Sequence, residues 1–152
     1  MANAYVDALR MLARRELSEA QVRQRLARRA HTPDDVDAAV ARLLAERAID
    51  DARVAAAIAR SQSSVKRRGK LRILRQIEQA GIARATARRA TDDVFESINP
   101  EALIEAALAK RLRGRERIDD KAEMSRLYRY LIGQGFGPDE VMRALRARSP
   151  SE

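Results

Sequence analysis

Positively charged side chains are concentrated in one short stretch of the chain, with spacings that suit phosphate binding. The cluster consists of Lys66, Arg67, Arg68, Lys70, Arg72 and Arg75. From residue 66 to residue 89 the only acid is Glu78, so neighbouring carboxylates neutralise little of this charge. A guanidinium group presents a planar pair of donors that matches two phosphate oxygens, and several such contacts together favour a polyanion. The cluster therefore predicts contacts with nucleic-acid phosphates.

A helix near residues 68–80 would separate these charges from an apolar face. The apolar side would hold Ile73, Leu74, Ile77 and Ala80, and the opposite side Arg68, Arg72 and Arg75. The competing interpretation is a solvated face, although such faces usually interleave acids with bases. The basic start of this segment has no Asn and no aromatic residue. We therefore expect salt-sensitive binding of single- and double-stranded DNA, with little base preference.

No catalytic residue, metal site or cofactor is predicted. Gly69-Lys70 resembles part of a phosphate-binding loop, but Ser64 replaces the first glycine and Leu71 the hydroxyl residue. The single histidine, His31, is expected to be a polar turn residue exposed to solvent, without the partners that a ligand or a base needs. The acid pairs all stand at predicted helix starts, where they meet the positive end of the helix dipole. These pairs are Asp34-Asp35, Asp50-Asp51, Asp119-Asp120 and Asp139-Glu140.

Tyr128 and Tyr130 form the densest aromatic feature of the chain. They flank Arg129 and lie between Leu127 and Leu131, which are expected in the core. We expect one tyrosine to pack inward and the other to be exposed to a protein partner, because tyrosine is enriched at interface anchors.

The composition favours a cytoplasmic protein without disulfides, which we expect to be a monomer or to associate only weakly. Cysteine is absent, which fits a reducing compartment, and no apolar run approaches the roughly 20 residues of a membrane span. The first residues lack the basic and then apolar pattern of a signal peptide. Aromatic residues make up only 3% of the chain, so the core must be built from Ala, Leu, Ile and Val.

Helix signals occur throughout the chain, and no segment alternates as a strand would. Ser18 with Gln21 has the form of a capping box, and Thr32 and Asn99 each precede a proline at a predicted first helical position. The predicted helices lie near residues 3–15, 18–30, 33–47, 50–64, 68–80, 83–97, 100–113, 119–133 and 138–147. An all-α fold follows from these signals.

The helices fall into three copies of one pattern. The pairs that mark the copies are Val22 and Leu26, Ile73 and Ile77 51 residues later, and Leu127 and Leu131 another 54 residues on. The turns that follow also align, with Ala30, Gly81 and Gly135 at equivalent places. The sequence therefore predicts three tandem three-helix repeats in an elongated, curved array, at residues 1–48, 49–98 and 99–152.

In order and spacing, these segments resemble the RecX family, the bacterial regulators of the RecA recombinase. The matching segments are residues 8–16, 18–26, 49–53 and 67–69, Ile73, Ile77, Gly81 and Ile82, and residues 121–131 and 135–141. The resemblance implies a protein of tandem three-helix repeats that binds the RecA–DNA filament along its groove. It also implies that ATP hydrolysis and strand exchange by the recombinase decrease.

Two positions depart from the family pattern. Val54 follows Arg53 where an aromatic residue is common, and Lys70 and Leu71 stand where another aromatic residue often follows the Arg-Gly pair. Two alternatives remain at this point. One is a DNA-binding protein without sequence specificity or a recombinase partner, and the other is a scaffold whose basic cluster meets an acidic protein.

Overall fold

The computed structural model describes residues 3–149, and every regular element within this range is helical. The α-helices are α1 (Ala4–Arg14), α2 (Glu19–Arg28), α3 (Pro33–Ala45), α4 (Asp51–Arg60), α5 (Lys70–Gln79), α6 (Arg84–Phe95), α7 (Pro100–Leu112), α8 (Lys121–Gly133) and α9 (Pro138–Arg146). A single π-helical turn, Ser61–Val65, continues α4. The predicted all-α class is confirmed, and α5 begins at Lys70, two residues later than expected.

Side-chain caps fix several helix starts at the residues that the sequence indicated. The Ser18 hydroxyl accepts from the Gln21 backbone N–H at 3.1 Å, and the Gln21 side chain accepts from the Ser18 N–H at 3.0 Å. Thr32 and Asn99 cap α3 and α7 ahead of their prolines. Each cap satisfies backbone donors that a helix start leaves without a partner, so these residues determine where α2, α3 and α7 begin.

Three separate groups of buried side chains form the interior. The first extends from Ala4 to Ile49, the second from Val54 to Ala90 and the third from Ile104 to Leu145. Aliphatic residues dominate all three, in agreement with the scarcity of aromatic residues. We propose that each group is the core of one repeat, with boundaries near residues 48 and 98.

Repeats 1 and 2 meet where the start of α2 contacts the end of α5. The Ser18 hydroxyl donates to the Ala80 carbonyl at 2.5 Å. Beside it, the Glu19 backbone N–H donates to the Asp51 carboxylate at 2.9 Å. The start of α2 thus provides both donors, and the acceptors are the carbonyl group at the end of α5 and the carboxylate at the start of α4.

Repeats 2 and 3 meet in the same way, one repeat further along. Here the start of α5 contacts the turn after α8. The Gly69 N–H donates to the Gln134 carbonyl at 2.8 Å, and the Leu71 N–H donates to the Gly135 carbonyl at 3.0 Å. The N-cap residue of α5 is Gly69, which has no side chain to accept a hydrogen bond from the first backbone N–H groups. The next repeat supplies these acceptors instead.

Glycine is required at both joints because each turn closely approaches a helix of the preceding repeat. Gly81 has φ +81°, and a Cβ there would lie 2.4 Å from the Ala20 Cβ. Gly135 has φ +99°, and a Cβ there would lie 2.3 Å from the Arg72 Cβ. The equivalent residue in repeat 1 is Ala30, which also has a positive φ of 62° but is exposed.

Replacing either joint glycine by alanine is expected to destabilise the protein. Gly81→Ala and Gly135→Ala combine left-handed backbone strain with overpacking, and each should lower the free energy of unfolding by about 2–4 kcal/mol. The matched control Ala30→Gly should change it by less than about 1 kcal/mol, because relief of strain offsets the added chain entropy. Urea unfolding followed by circular dichroism measures all three. A loss below about 1 kcal/mol for both glycine variants would contradict the close-approach explanation.

Candidate nucleic-acid interface and protein-contact surface

The predicted basic cluster lies at the joint between repeats 2 and 3. The π-helical turn ends α4, and Arg67 follows it with φ 53°, a left-handed conformation that redirects the backbone toward α5. Lys66, Arg67 and Arg75 are exposed, and their side chains have no hydrogen-bond or ion-pair partner among residues 3–149. These three cations are the most available to an external phosphate.

Two other arginines of the cluster instead contact the third repeat. The Arg68 guanidinium donates to the Gln134 side-chain oxygen, and its Nε is buried without a partner within residues 3–149. Arg72 Nη1 donates to the Gly133 carbonyl at 3.1 Å. Both side chains are half-buried, so part of their bonding capacity is used to join the repeats.

Lys70 has an intermediate position between these two groups. Its Nζ lies 2.6 Å from a carboxylate oxygen of Asp92 on α6, with both side chains about half exposed. An exposed ion pair of this kind is worth roughly 0–1 kcal/mol, so a phosphate can compete for the lysine.

A polar cleft opens beside the cluster. It has a volume of about 530 Å³ and is lined by Arg72, Arg75, Gln76, Gln79 and Gly133. Charged and amide donors dominate its walls, as expected for a surface that accepts phosphate and sugar oxygens. The cleft places Arg75 and the remaining donors of Arg72 on one concave surface.

Tyr128 and Tyr130 are both half-buried against the third core, instead of one being buried and the other exposed. The Arg111 guanidinium lies 3.6 Å from the centre of the Tyr130 ring, which covers one face of that ring. Tyr128 lines an open groove of about 470 Å³ with Met124, Met142 and other residues. Tyr128 is therefore the better placed of the two for a protein contact.

The expectation that His31 is exposed and without a partner is wrong. Its side chain is 6% exposed, and Nε2 lies 2.7 Å from a carboxylate oxygen of Asp7 on α1. The turn alignment explains the burial, because the equivalent residues in repeats 2 and 3 are Ile82 and Phe136, both buried. His31 thus fills a core position and brings a buried carboxylate with it.

The acid pairs serve the helix starts. Asp50 accepts from the Arg53 N–H at 3.1 Å, and Asp120 accepts from the Glu123 N–H at 2.8 Å.

Within residues 3–149, no group of three or more His, Asp or Glu residues could hold a metal ion. No described helix is long and apolar enough to cross a membrane.

Sequence reasoning missed two features of functional interest. One is the acceptor role of Gln134 in the joint, since this residue is distant in sequence from Arg68. The other is a cleft in repeat 1 that five arginines line. These are Arg10, Arg14, Arg15, Arg25 and Arg29. Residues 10–29 contain seven arginines and two acids, a local excess that the sum over the whole first repeat conceals.

Asp7 is expected to make stability depend on pH in the acid range. The hydrogen bond with His31 lowers the pKa of Asp7 below its ordinary value of 3.8, and Arg29 and Arg10 add to this effect while burial opposes it. A lowered folded-state pKa gives a stabilising contribution that is present above 3.8 and is lost as pH falls through the folded value. Asp7→Asn should therefore lower the free energy of unfolding at pH 7 and reduce its decline below pH 4.

Urea unfolding at pH 7, 5 and 3 measures this dependence. Asp37→Asn is the control, because that carboxylate is exposed and pairs only at the surface with Arg23. If Asp7→Asn declined with pH as steeply as the unchanged protein, the stabilising role of the Asp7 charge would be refuted.

Comparisons with known proteins agree with this arrangement of helices. Residues 4–43 match the family model of the first three-helix domain of RecX, and residues 100–145 match that of the third. The regulatory protein RecX of Chromohalobacter salexigens is 34% identical over 91% of this chain and 88% of its own length. That of Halorhodospira halophila is 33% identical over 92% and 84%.

A similar structure supports the same fold. The crystal structure of RecX from Lactobacillus salivarius aligns over 95% of this chain and 93% of that chain, with a TM-score of 0.74 at 18% sequence identity. At that identity the likeness concerns the fold alone. The sequence matches and the helix arrangement together place this chain in the RecX family.

Proposed function

We propose that this protein regulates a RecA recombinase by binding the RecA–DNA filament and reducing its ATP hydrolysis and strand exchange, without catalysing a reaction itself. Family membership supports a regulatory role. The observation that carries the DNA part of the proposal is the exposed set Lys66, Arg67 and Arg75, of which Arg75 lines a polar cleft. In the cell we place this activity in the cytoplasm.

The cations without a partner among the described residues are the ones best able to hold DNA. Lys66, Arg67 and Arg75 can each exchange water for a phosphate oxygen without breaking a contact within the protein. Lys70 would have to leave Asp92, and Arg68 and Arg72 would have to share their donors with repeat 3. Lys66, Arg67 and Arg75 are therefore the primary phosphate contacts, and the other three are secondary.

The groove beside Tyr128 is the proposed contact with the recombinase. Met124 and Met142 give it flexible apolar walls, and methionine adapts readily to a partner surface. Arg129 adds a charge at the edge of the groove. Tyr130 takes part less directly, because Arg111 covers its ring.

Neutralising the primary cations is expected to weaken DNA binding and its salt dependence. Lys66→Gln/Arg67→Gln/Arg75→Gln should reduce the slope of log affinity against log salt by about 2 units on single-stranded DNA, at roughly 0.7 units per lost phosphate contact. A matched control removes one lysine and two arginines that are exposed and have no partner among the described residues. It is Lys110→Gln/Arg126→Gln/Arg146→Gln in repeat 3.

Fluorescence anisotropy with a labelled single-stranded oligonucleotide at several salt concentrations measures both variants. Equal slopes for the two variants would show that the predicted cluster is not the DNA contact. Because neither variant alters Arg68 or Arg72, the joint between repeats stays intact in this comparison.

Truncating Tyr128 is expected to separate recombinase binding from DNA binding. Tyr128→Ala should weaken inhibition of single-stranded-DNA-dependent ATP hydrolysis by RecA at least several-fold, while leaving the DNA affinity of the isolated protein unchanged. Tyr128→Phe should keep the inhibition, because the hydroxyl has no hydrogen-bond partner among the described residues and the ring supplies the contact.

Titration of RecA ATP hydrolysis at fixed ionic strength is the experiment that tests the whole proposal. Inhibition at substoichiometric amounts of the protein would support filament binding. If the protein bound DNA but left ATP hydrolysis unchanged, the recombinase proposal would fail and the DNA-binding alternative would take its place.

A further inference from the structure

A second concentration of positive charge lies in repeat 1, away from the predicted cluster. The cleft between the ends of α1 and α2 has a volume of about 210 Å³. Its walls are formed by Met11 and by Arg10, Arg14, Arg15, Arg25 and Arg29. These arginines come from two helices that are packed together by the repeat 1 core, so the cleft is held by the fold.

One buried carboxylate, that of Asp7, lies close to two arginines of this cleft and also to His31. One of its oxygens lies 2.7 Å from His31, and the other lies 3.9 Å from Arg10 and 3.7 Å from Arg29. The two arginine distances are too long for hydrogen bonds, so both guanidinium groups keep their donors. Asp7 therefore orients Arg10 and Arg29 without saturating them.

The other three arginines of the cleft have no hydrogen-bond or ion-pair partner within residues 3–149. Arg14 and Arg15 are exposed, and Arg25 is half-buried. A cation at a helix end gains about 0.3–1 kcal/mol from the helix dipole, which would explain a single arginine at the end of α1 or of α2. It does not explain why five converge on one concave surface, where the low-dielectric walls strengthen the field that an anion meets.

We propose that this cleft binds phosphodiester groups of a nucleic-acid backbone, as an anchoring site distinct from Lys66, Arg67 and Arg75. The walls present guanidinium groups and one methionine, with no aromatic ring or amide to recognise a base or a nucleoside. Two cationic sites on one chain favour a polyanion long enough to contact both, because the second contact forms at high effective concentration. The proposal deepens the DNA part of the proposed function and does not involve the recombinase.

The test uses the full chain with DNA alone. Arg14→Gln/Arg15→Gln/Arg25→Gln should reduce the slope of log affinity against log salt by about 2 units on single-stranded DNA, as three phosphate contacts are lost. The control Arg28→Gln/Arg47→Gln/Arg60→Gln removes three exposed arginines that lie outside the cleft and have no side-chain partner among the described residues. It should leave the slope unchanged. Arg14→Gln/Arg15→Gln, which leaves half-buried Arg25 in place, should reduce the slope by about two thirds as much and serves if the triple variant unfolds.

Two outcomes would overturn the proposal. One is an equal slope for the cleft variant and its control. Another is loss of inorganic tripolyphosphate binding in the cleft variant with its DNA affinity intact, since that would identify a site for free polyanions. Because RecA is absent from these measurements, failure of the ATP hydrolysis test and failure of the cleft are separate results.

Discussion

The close contact between consecutive repeats is the constraint on which the rest of the molecule depends. At each joint a helix end supplies a carbonyl oxygen, from Ala80 or Gln134, to the start of a helix one repeat earlier. The contact is close because Gly81 and Gly135 lack a side chain, as does Gly69 at the second joint. Each repeat is small and has a core made mainly of aliphatic side chains, so these joints determine how the surface charges of neighbouring repeats are arranged.

The second joint uses two arginines of the basic cluster and leaves three of its cations exposed, with Lys70 paired to Asp92. Arg68 and Arg72 extend back to the third repeat, whereas Lys66, Arg67 and Arg75 extend into solvent. Arginine suits the joint because its several donors can bond a carbonyl and still leave others free. One stretch of sequence therefore both joins two repeats and creates the charged surface beside them.

Much of the fold could be predicted from the sequence, because its signals are local. Caps such as Ser18 with Gln21 act within one helical turn, and the apolar spacing gives the helix faces. The contacts of Arg68 and the burial of His31 depend on residues far away in the chain. The alignment of His31 with Ile82 and Phe136 was an available signal of burial. The arginine cleft of repeat 1 could not be predicted from the net charge of that repeat. The acids that offset the arginines in the net charge, such as Asp34 and Asp35, belong to a different helix.

The methyl group of Ala30 makes the three repeats unequal as building blocks. Repeats 2 and 3 each present a turn with no side chain, so either has the surface needed to follow another repeat. Repeat 1 presents a turn of the same left-handed backbone with one carbon atom added. Duplicating the second or third module could therefore lengthen such an array, whereas a copy of the first inserted between two others would bring the Ala30 methyl group into the close approach that the glycines relieve. A single methyl group thus distinguishes the module suited to the first position from the modules suited to follow another one.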